Sequence, residues 1–267
     1  MNKIDALNLE WSSAPSRDRQ MATLVCNYLR YMGYEVLEDI MFLGCNLINK
    51  YKPRLYFNVG PIGAKTNFKV MKYARGRNIV AVSLVAEGNF RTDKNTIGQF
   101  VWGWNKKKVL YENLNMQWSE RTRNATYEYF PQLKGKVKVS GAVGFDIYKI
   151  SKNKSQKEFL EKYHKSNYKK VIGVGCWDFG AFHPEDRRHK TVMKLYSESD
   201  KIRFNKDQSD FNKVLLEVIS KNKDILFLLK EHPGVLLGRK ASGIEGAEKF
   251  DNALIIKNEE SIINCIS

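Results

Sequence analysis

Along the first half of the chain, short apolar runs alternate with segments whose apolar positions recur at spacings of three and four. That alternation predicts a parallel sheet covered by helices. Ile4–Trp11 reads as the first strand. Ser16 is placed to cap a helix carrying Met21, Leu24, Val25, Tyr28, Leu29 and Met32 on one face, and Gly33 supplies its stop. Tyr34–Leu37, Leu55–Val59 and Ile79–Val85 follow as strands, the last apolar enough to be buried on both faces. Helical segments are expected at Met41–Tyr51 and Ala64–Arg75.

Phe100–Trp104 reads as a further short strand, and Lys106–Leu133 as one or two helices. Lys136–Ser140 is a strand that runs into Gly141-Ala142-Val143-Gly144-Phe145-Asp146. The Lys-, Ser- and Asn-rich stretch Ser151–Lys169 breaks the rhythm and is taken as a domain linker. Beyond it come a strand at Lys170–Gly175, a loop at Cys176–Lys190, a helix at Asp210–Lys221 and strands at Ile225–Leu229 and Ala253–Ile256. The expectation is therefore an α/β chain of two Rossmann-like domains, residues 1–150 and 151–267. Three strands are few for a doubly wound domain, so the second domain reads as incomplete, its remainder missing or supplied by a partner.

Charge and cysteine usage narrow the partners. Forty-five Lys and Arg against 29 Asp and Glu give the 267 residues a net charge of +16, which favours polyanions such as nucleotide phosphates, nucleic acid or an anionic membrane. The lysines are dispersed and form no recognised nucleic-acid signature, so no nucleic-acid partner is expected. Cys26, Cys45, Cys176 and Cys265 lie far apart, with no Cys-x-x-Cys pair and no clustered histidines, which argues against a zinc site or a disulfide framework. Neither a metal ion nor another cofactor is expected. No apolar run reaches the roughly 20 residues that span a bilayer. A cytoplasmic location follows, with peripheral contact at the inner membrane face.

Candidate chemistry falls at the carboxyl ends of strands, where loops converge and helix N-termini present free N–H groups. Lys230-Glu231-His232-Pro233-Gly234 follows the strand Ile225–Leu229. His232 and Lys230 there suit phosphate oxygens, and Pro233-Gly234 turns the backbone; the structural alternative is a simple strand-end turn. Glu87-Gly88-Asn89-Phe90-Arg91 follows Ile79–Val85, which places Glu87 as a general base or as a loop carboxylate paired with Arg91. The basic end of the loop Asp178–Lys190, including Arg187, suits a diphosphate or a solvated face. Glu259-Glu260-Ser261 precedes an apolar segment, so Ser261 is a helix cap or, with Glu260, a ribose or phosphate contact.

In order along the chain, Val85–Arg91, Phe100-Val101-Trp102-Gly103, Val139-Ser140-Gly141 with Phe145-Asp146, and Lys230-Glu231-His232-Pro233 resemble the bacterial surface-carbohydrate (capsule and O-antigen) glycosyltransferases of GT-B type, akin to the Kdo transferases. The resemblance implies an acceptor-side domain at 1–150 and a nucleotide-donor domain at 151–267. It implies a nucleotide-sugar donor held by Lys230, His232, Pro233, Glu260 and Ser261, and a glycan or lipid-linked glycan acceptor. Glu87 is then the catalytic or acceptor-side carboxylate, with Arg91 and Arg187 as cleft residues. A GT-B-shaped nucleotide-sugar epimerase is the alternative within enzymes, and a non-catalytic or nucleic-acid-binding basic protein the alternative outside them.

Overall fold

A computed structural model describes residues 4–10, 17–60, 65–86, 88, 91–102, 105, 107–150, 155–176, 197–231 and 245–257. The chain divides into two compact units, Met1–Ile150 and Ser151–Ser267.

The first unit is built on a six-stranded sheet. Its strands are β1 (Ala6–Glu10), β2 (Val36–Ile40), β3 (Leu55–Val59), β4 (Val80–Leu84), β5 (Leu114–Gln117) and β6 (Val137–Val139). They lie in the order β2-β1-β3-β4-β5-β6, every neighbouring pair parallel. Its helices among the described residues are α1 (Arg17–Tyr31), α2 (Gly44–Tyr51), α3 (Lys65–Arg75), α4 (Lys94–Trp102), α5 (Glu120–Tyr129) and α6 (Ile147–Ile150). Burial on both faces explains why most positions of β1, β3 and β4 are apolar. Leu7, Leu9, Tyr56 and Ala81 pack with Ile48, Val70 and Met71 of α2 and α3. Phe57, Val59 and Leu84 point the other way, onto Met21, Ala22 and Cys26 of α1. At about 25 cal/mol per Å² of apolar surface, these two layers are the main source of stability.

The second unit carries a parallel sheet ordered β7-β8-β9, from β7 (Lys170–Gly175), β8 (Ile225–Lys230) and β9 (Ala253–Ile256). Leu215 and Ile219 of α8 (Glu198–Lys221) meet Phe227 and Leu229 on one face. Phe159 and Leu160 of α7 (Gln156–Lys162) meet Leu226 and Leu228 on the other. Alternate residues of β8 thus serve opposite layers, and its four central positions are buried.

Several elements depart from the sequence reading. Phe100–Trp102 is the end of α4 and not a strand, while 103 and 104 lie outside the described residues. Asp93 accepts from the Thr96 backbone N–H at 3.0 Å and its hydroxyl at 2.7 Å, which starts the helix, and Ile97 and Val101, four apart, share its buried side. Within Lys106–Leu133 lies β5, whose inward positions Asn115 and Gln117 are polar and hide the strand from a hydropathy reading. β2 begins at Val36 because Gly33, at φ +89°, and the Tyr34 N–H bonding the Leu29 carbonyl still belong to the end of α1. The stretch 151–169 is not all linker: a Ser155–Glu158 capping box starts α7. A second box, Ser197 with Asp200, starts α8 well before Asp210.

Candidate functional site at the carboxyl ends of the sheets

β1 ends at Glu10, between the ends of its neighbours β2 and β3. Glu10 is almost wholly buried, 3% exposed as a residue, and its Oε1 accepts from Asn8 Nδ2 at 3.0 Å and from the Val59 N–H at 2.9 Å. Burial pushes this carboxyl up to about 7; the Asn8 and Val59 hydrogen bonds pull the other way but do not overcome it, with Asp18 raising it further and Arg19 lowering it. Gly60, just past β3, holds φ +65°, and a side chain there would stand 3.1 Å from Asp18 Oδ2. Its carbonyl accepts from Asn67 Nδ2 of α3 at 3.4 Å. Asn8 Oδ1, Asn67 Oδ1 and both amide atoms of Asn58 are buried with no hydrogen-bond partner among the described residues. The end of β1 and β3 is therefore rich in polar capacity that the fold itself does not consume.

A second polar chain crosses β4 and β5. Ser83 donates to the buried Glu112 carboxylate at 2.9 Å and accepts from Asn115 at 2.9 Å, and Gln117 donates to Asn115 at 2.5 Å. Burial raises the Glu112 carboxyl above its ordinary range, with the Ser83 hydrogen bond and Lys136 opposing. At the end of β4, Trp118 donates its indole N–H to the Val85 carbonyl at 2.7 Å and lies 5.3 Å from the exposed ring of Phe145, which in turn meets Tyr148 at 5.9 Å.

Of the residues singled out from sequence, Arg91 is exposed beyond β4, and Lys230 closes β8. Lys230 Nζ donates to the Lys257 carbonyl at 3.1 Å and the Glu231 carbonyl at 3.4 Å, and its own carbonyl accepts from the Cys176 N–H at 3.0 Å. The ends of β7, β8 and β9 are thereby tied together. Beside them Cys176 is buried, which pushes its thiol up to about 11. Glu87, Arg187, His232, Pro233, Glu260 and Ser261 lie outside the described residues. Among the described residues no group of three His, Cys, Asp or Glu side chains could hold a metal ion, and no helix is long and apolar enough to cross a membrane.

Glu10 and Asn8 escaped the sequence reading because they were absorbed into an apolar strand. The available signal was polar residues at alternate positions of a strand whose other residues are apolar, where a central strand has no solvent to offer them.

The parallel sheets with helices on both faces define an α/β, Rossmann-like protein of GT-B-like class. No protein-family model and no curated protein matches the chain. Among solved structures, the UDP co-structure of MnaA from S. aureus is similar at a TM-score of 0.54 and 13% identity, over 95% of this chain and 68% of that one. A UDP-N-acetylglucosamine 2-epimerase from Rickettsia bellii is similar at 0.53 and 12%, over 96% and 69%. At such identities the likeness is one of fold.

Proposed function

We propose that this chain is an enzyme acting on a nucleotide-activated sugar. The observation that carries the reading is the fold shared over 95% of the chain with a protein in complex with UDP. The short blocks Val85–Arg91 and Lys230–Pro233, at the ends of β4 and β8, support a glycosyltransferase that moves the sugar to a surface-polysaccharide acceptor. In that reading the unit 151–267 holds the donor, with Lys230, His232, Pro233, Glu260 and Ser261 about the nucleotide. The unit 1–150 receives the glycan or lipid-linked acceptor, and Glu87 takes the proton of its attacking hydroxyl. Arg91 and Arg187 add positive charge. The enzyme works in the cytoplasm, at the inner face of the membrane. A nucleotide-sugar epimerase is the second reading, favoured by the fold shared with the R. bellii epimerase.

Calorimetric titration with UDP, CDP, CMP and GDP tests the class. One hydrogen bond from His232 to a charged phosphate is worth about 1.5–3 kcal/mol, so His232→Ala is expected to weaken the preferred nucleotide roughly ten- to a hundredfold. Equal affinities in the two proteins overturn the phosphate role. Incubation of the matching nucleotide sugar with and without a glycan acceptor separates the two reactions. Acceptor-dependent nucleotide release marks a transferase, and an epimeric nucleotide sugar formed without acceptor marks an epimerase.

A further inference from the structure

We propose that the face of the first unit at the amino ends of its strands docks on an anionic phospholipid bilayer. The inner-membrane location read above thereby gains a surface, and the nucleotide chemistry of that reading is independent of it.

Lysines and arginines dispersed along the sequence meet on this face because of the topology. In a parallel sheet covered by helices, helices end and strands begin on the same side. β3, β4, β5 and β6 are neighbours in that order, so the connections entering them lie in a row. Lys52 and Arg54 enter β3, and Arg75 and Arg77 enter β4, all of them exposed. Lys107 and Lys108 precede β5, and Lys134 and Lys136 precede β6, exposed likewise. Neighbouring strands stand about 4.8 Å apart, so the row is roughly 15 Å long and its charges act together at a Debye length of about 8 Å.

The Arg77 guanidinium stacks on the Tyr73 ring at 3.4 Å, and its Nε donates to Asn49 Oδ1 at 3.0 Å, which fixes an exposed cation between α2 and the end of α3. The ion pairs of this unit among the described residues, Arg19 and Arg30 with Glu38 and Arg123 with Glu120, take none of the row. The acidic groups on this side are Asp5 and Glu35 at the start of β1 and β2, Glu128 in the last turn of α5, and Glu112, which is buried near Lys136. Attraction to a helix C-terminus accounts for Arg75, in the last turn of α3. It does not account for the cations before β5 and β6, since α4 and α5 have no basic residue in their last turns. At the carboxyl ends the charges are mixed, with Asp39, Asp93 and Glu120 beside Arg91 and Lys94.

Apolar side chains among the cations select the polyanion. Val109 is exposed directly after Lys107 and Lys108, and Val80 opens β4 exposed. Tyr31, Met32 and Tyr34 stand out where α1 passes into β2, Tyr31 at 85% exposure. Cations that meet lipid phosphates, with tyrosine and aliphatic side chains entering between the headgroups, suit a bilayer interface. A nucleic-acid backbone presents phosphates but nothing for isolated aliphatic side chains. Docked this way, the unit turns the carboxyl ends of its strands away from the bilayer.

The test is flotation of the full chain with vesicles of phosphatidylcholine containing about one-third phosphatidylglycerol, at physiological and roughly threefold higher salt. Vesicles of phosphatidylcholine alone and a random single-stranded oligonucleotide are the references. Wild type is expected to bind the anionic vesicles and not the neutral ones, and to bind about tenfold less at the higher salt. Lys52→Glu with Arg54→Glu, and Lys107→Glu with Lys108→Glu, are each expected to weaken binding about tenfold or more. Met32→Ser with Val109→Ser is expected to weaken it about threefold. Lys206→Glu with Lys213→Glu on α8, an equal change of net charge, is expected to stay within about twofold of wild type. Where a thermal melt shows a reversed pair to be unfolded, Lys107→Gln with Lys108→Gln takes its place, with an expected loss of about fivefold. No binding to anionic vesicles, equal binding to neutral ones, or an equal loss in the α8 pair overturns the assignment. Tighter binding of the oligonucleotide through the same residues also overturns it. Failure here leaves the nucleotide titration standing, and failure there leaves the docking face standing.

Discussion

A Cβ atom on Gly88 would lie 2.6 Å from Cζ3 and 2.7 Å from Cε3 of Trp118, so the backbone after β4 rests directly on the indole ring. The ring cannot move aside without losing the bond from its N–H to the Val85 carbonyl. Glycine at position 88 is thus a packing requirement. Gly88→Ala is expected to cost about 1–3 kcal/mol, the range for overfilling a packed site, and to shift tryptophan fluorescence. A melting temperature and emission spectrum equal to wild type would show that the loop adjusts freely.

Stability should depend on the proton of Glu10. Its folded value, about 7, lies above the ordinary 4.5, so the folded chain retains a proton that the unfolded chain gives up in that window. The stabilisation is fully present below 4.5 and is lost as pH rises through about 7. Denaturant unfolding at pH 5 and pH 7.5 is expected to show a fall of about 2 kcal/mol in wild type that Glu10→Gln lacks. Parallel pH profiles in the two proteins would count against a buried Glu10.

Glu112 acts in the same direction, its carboxyl raised by burial. Because Ser83 donates to it at 2.9 Å, Glu112→Gln preserves an acceptor, whereas Glu112→Ala leaves Ser83 and the Asn115–Gln117 chain without their terminus. The alanine variant is expected to lose about 1–3 kcal/mol more than the glutamine variant in chemical denaturation.

In the second unit, the Asn252 side-chain amide donates to the carbonyls of Ile219 at 3.0 Å, Asn222 at 2.9 Å and Ile225 at 3.2 Å. One buried NH₂ group therefore joins the end of α8, the following turn and the start of β8. Asn252→Ala is expected to cost about 1–2 kcal/mol, since it removes a side-chain donor shared by three carbonyls, of which those of Ile219 and Asn222 keep a backbone N–H. Hydrogen exchange should accelerate in α8 and β8 while the first unit stays protected. A uniform change across both units would contradict a local role.

Much of the architecture was legible in the sequence, and the reason is periodicity. Leu55–Val59 and Ile225–Leu229 are apolar runs bounded by turn residues, and α1 shows Met21, Val25 and Leu29 of its expected stripe packed inward and its stop at Gly33, while Tyr28 and Met32 are exposed. A residue's own hydropathy decides such elements, because the free energy of burying it is local to its side chain. Periodicity failed where neighbours distant in sequence set the terms. Phe100-Val101-Trp102 has strand-like composition, yet Asp93 starts a helix and Trp102 meets Phe130 edge-on at 5.5 Å, a contact invisible along the chain. β5 is polar inward because Ser83 and Glu112 await it.

The candidate site divides along the same line. Sequence alone determined that charged residues such as Lys230 and Arg91 follow apolar strands, since chemistry at strand ends is written as polar residues after apolar ones. Only the tertiary structure decided that Glu10 is buried, bonded through one oxygen and held near neutrality, and that Lys230 spans three strand ends through carbonyls. Desolvation and hydrogen-bond geometry are properties of the space around a group, and that space is furnished by Val59 of β3 and by α1, which the chain brings to Glu10 only on folding.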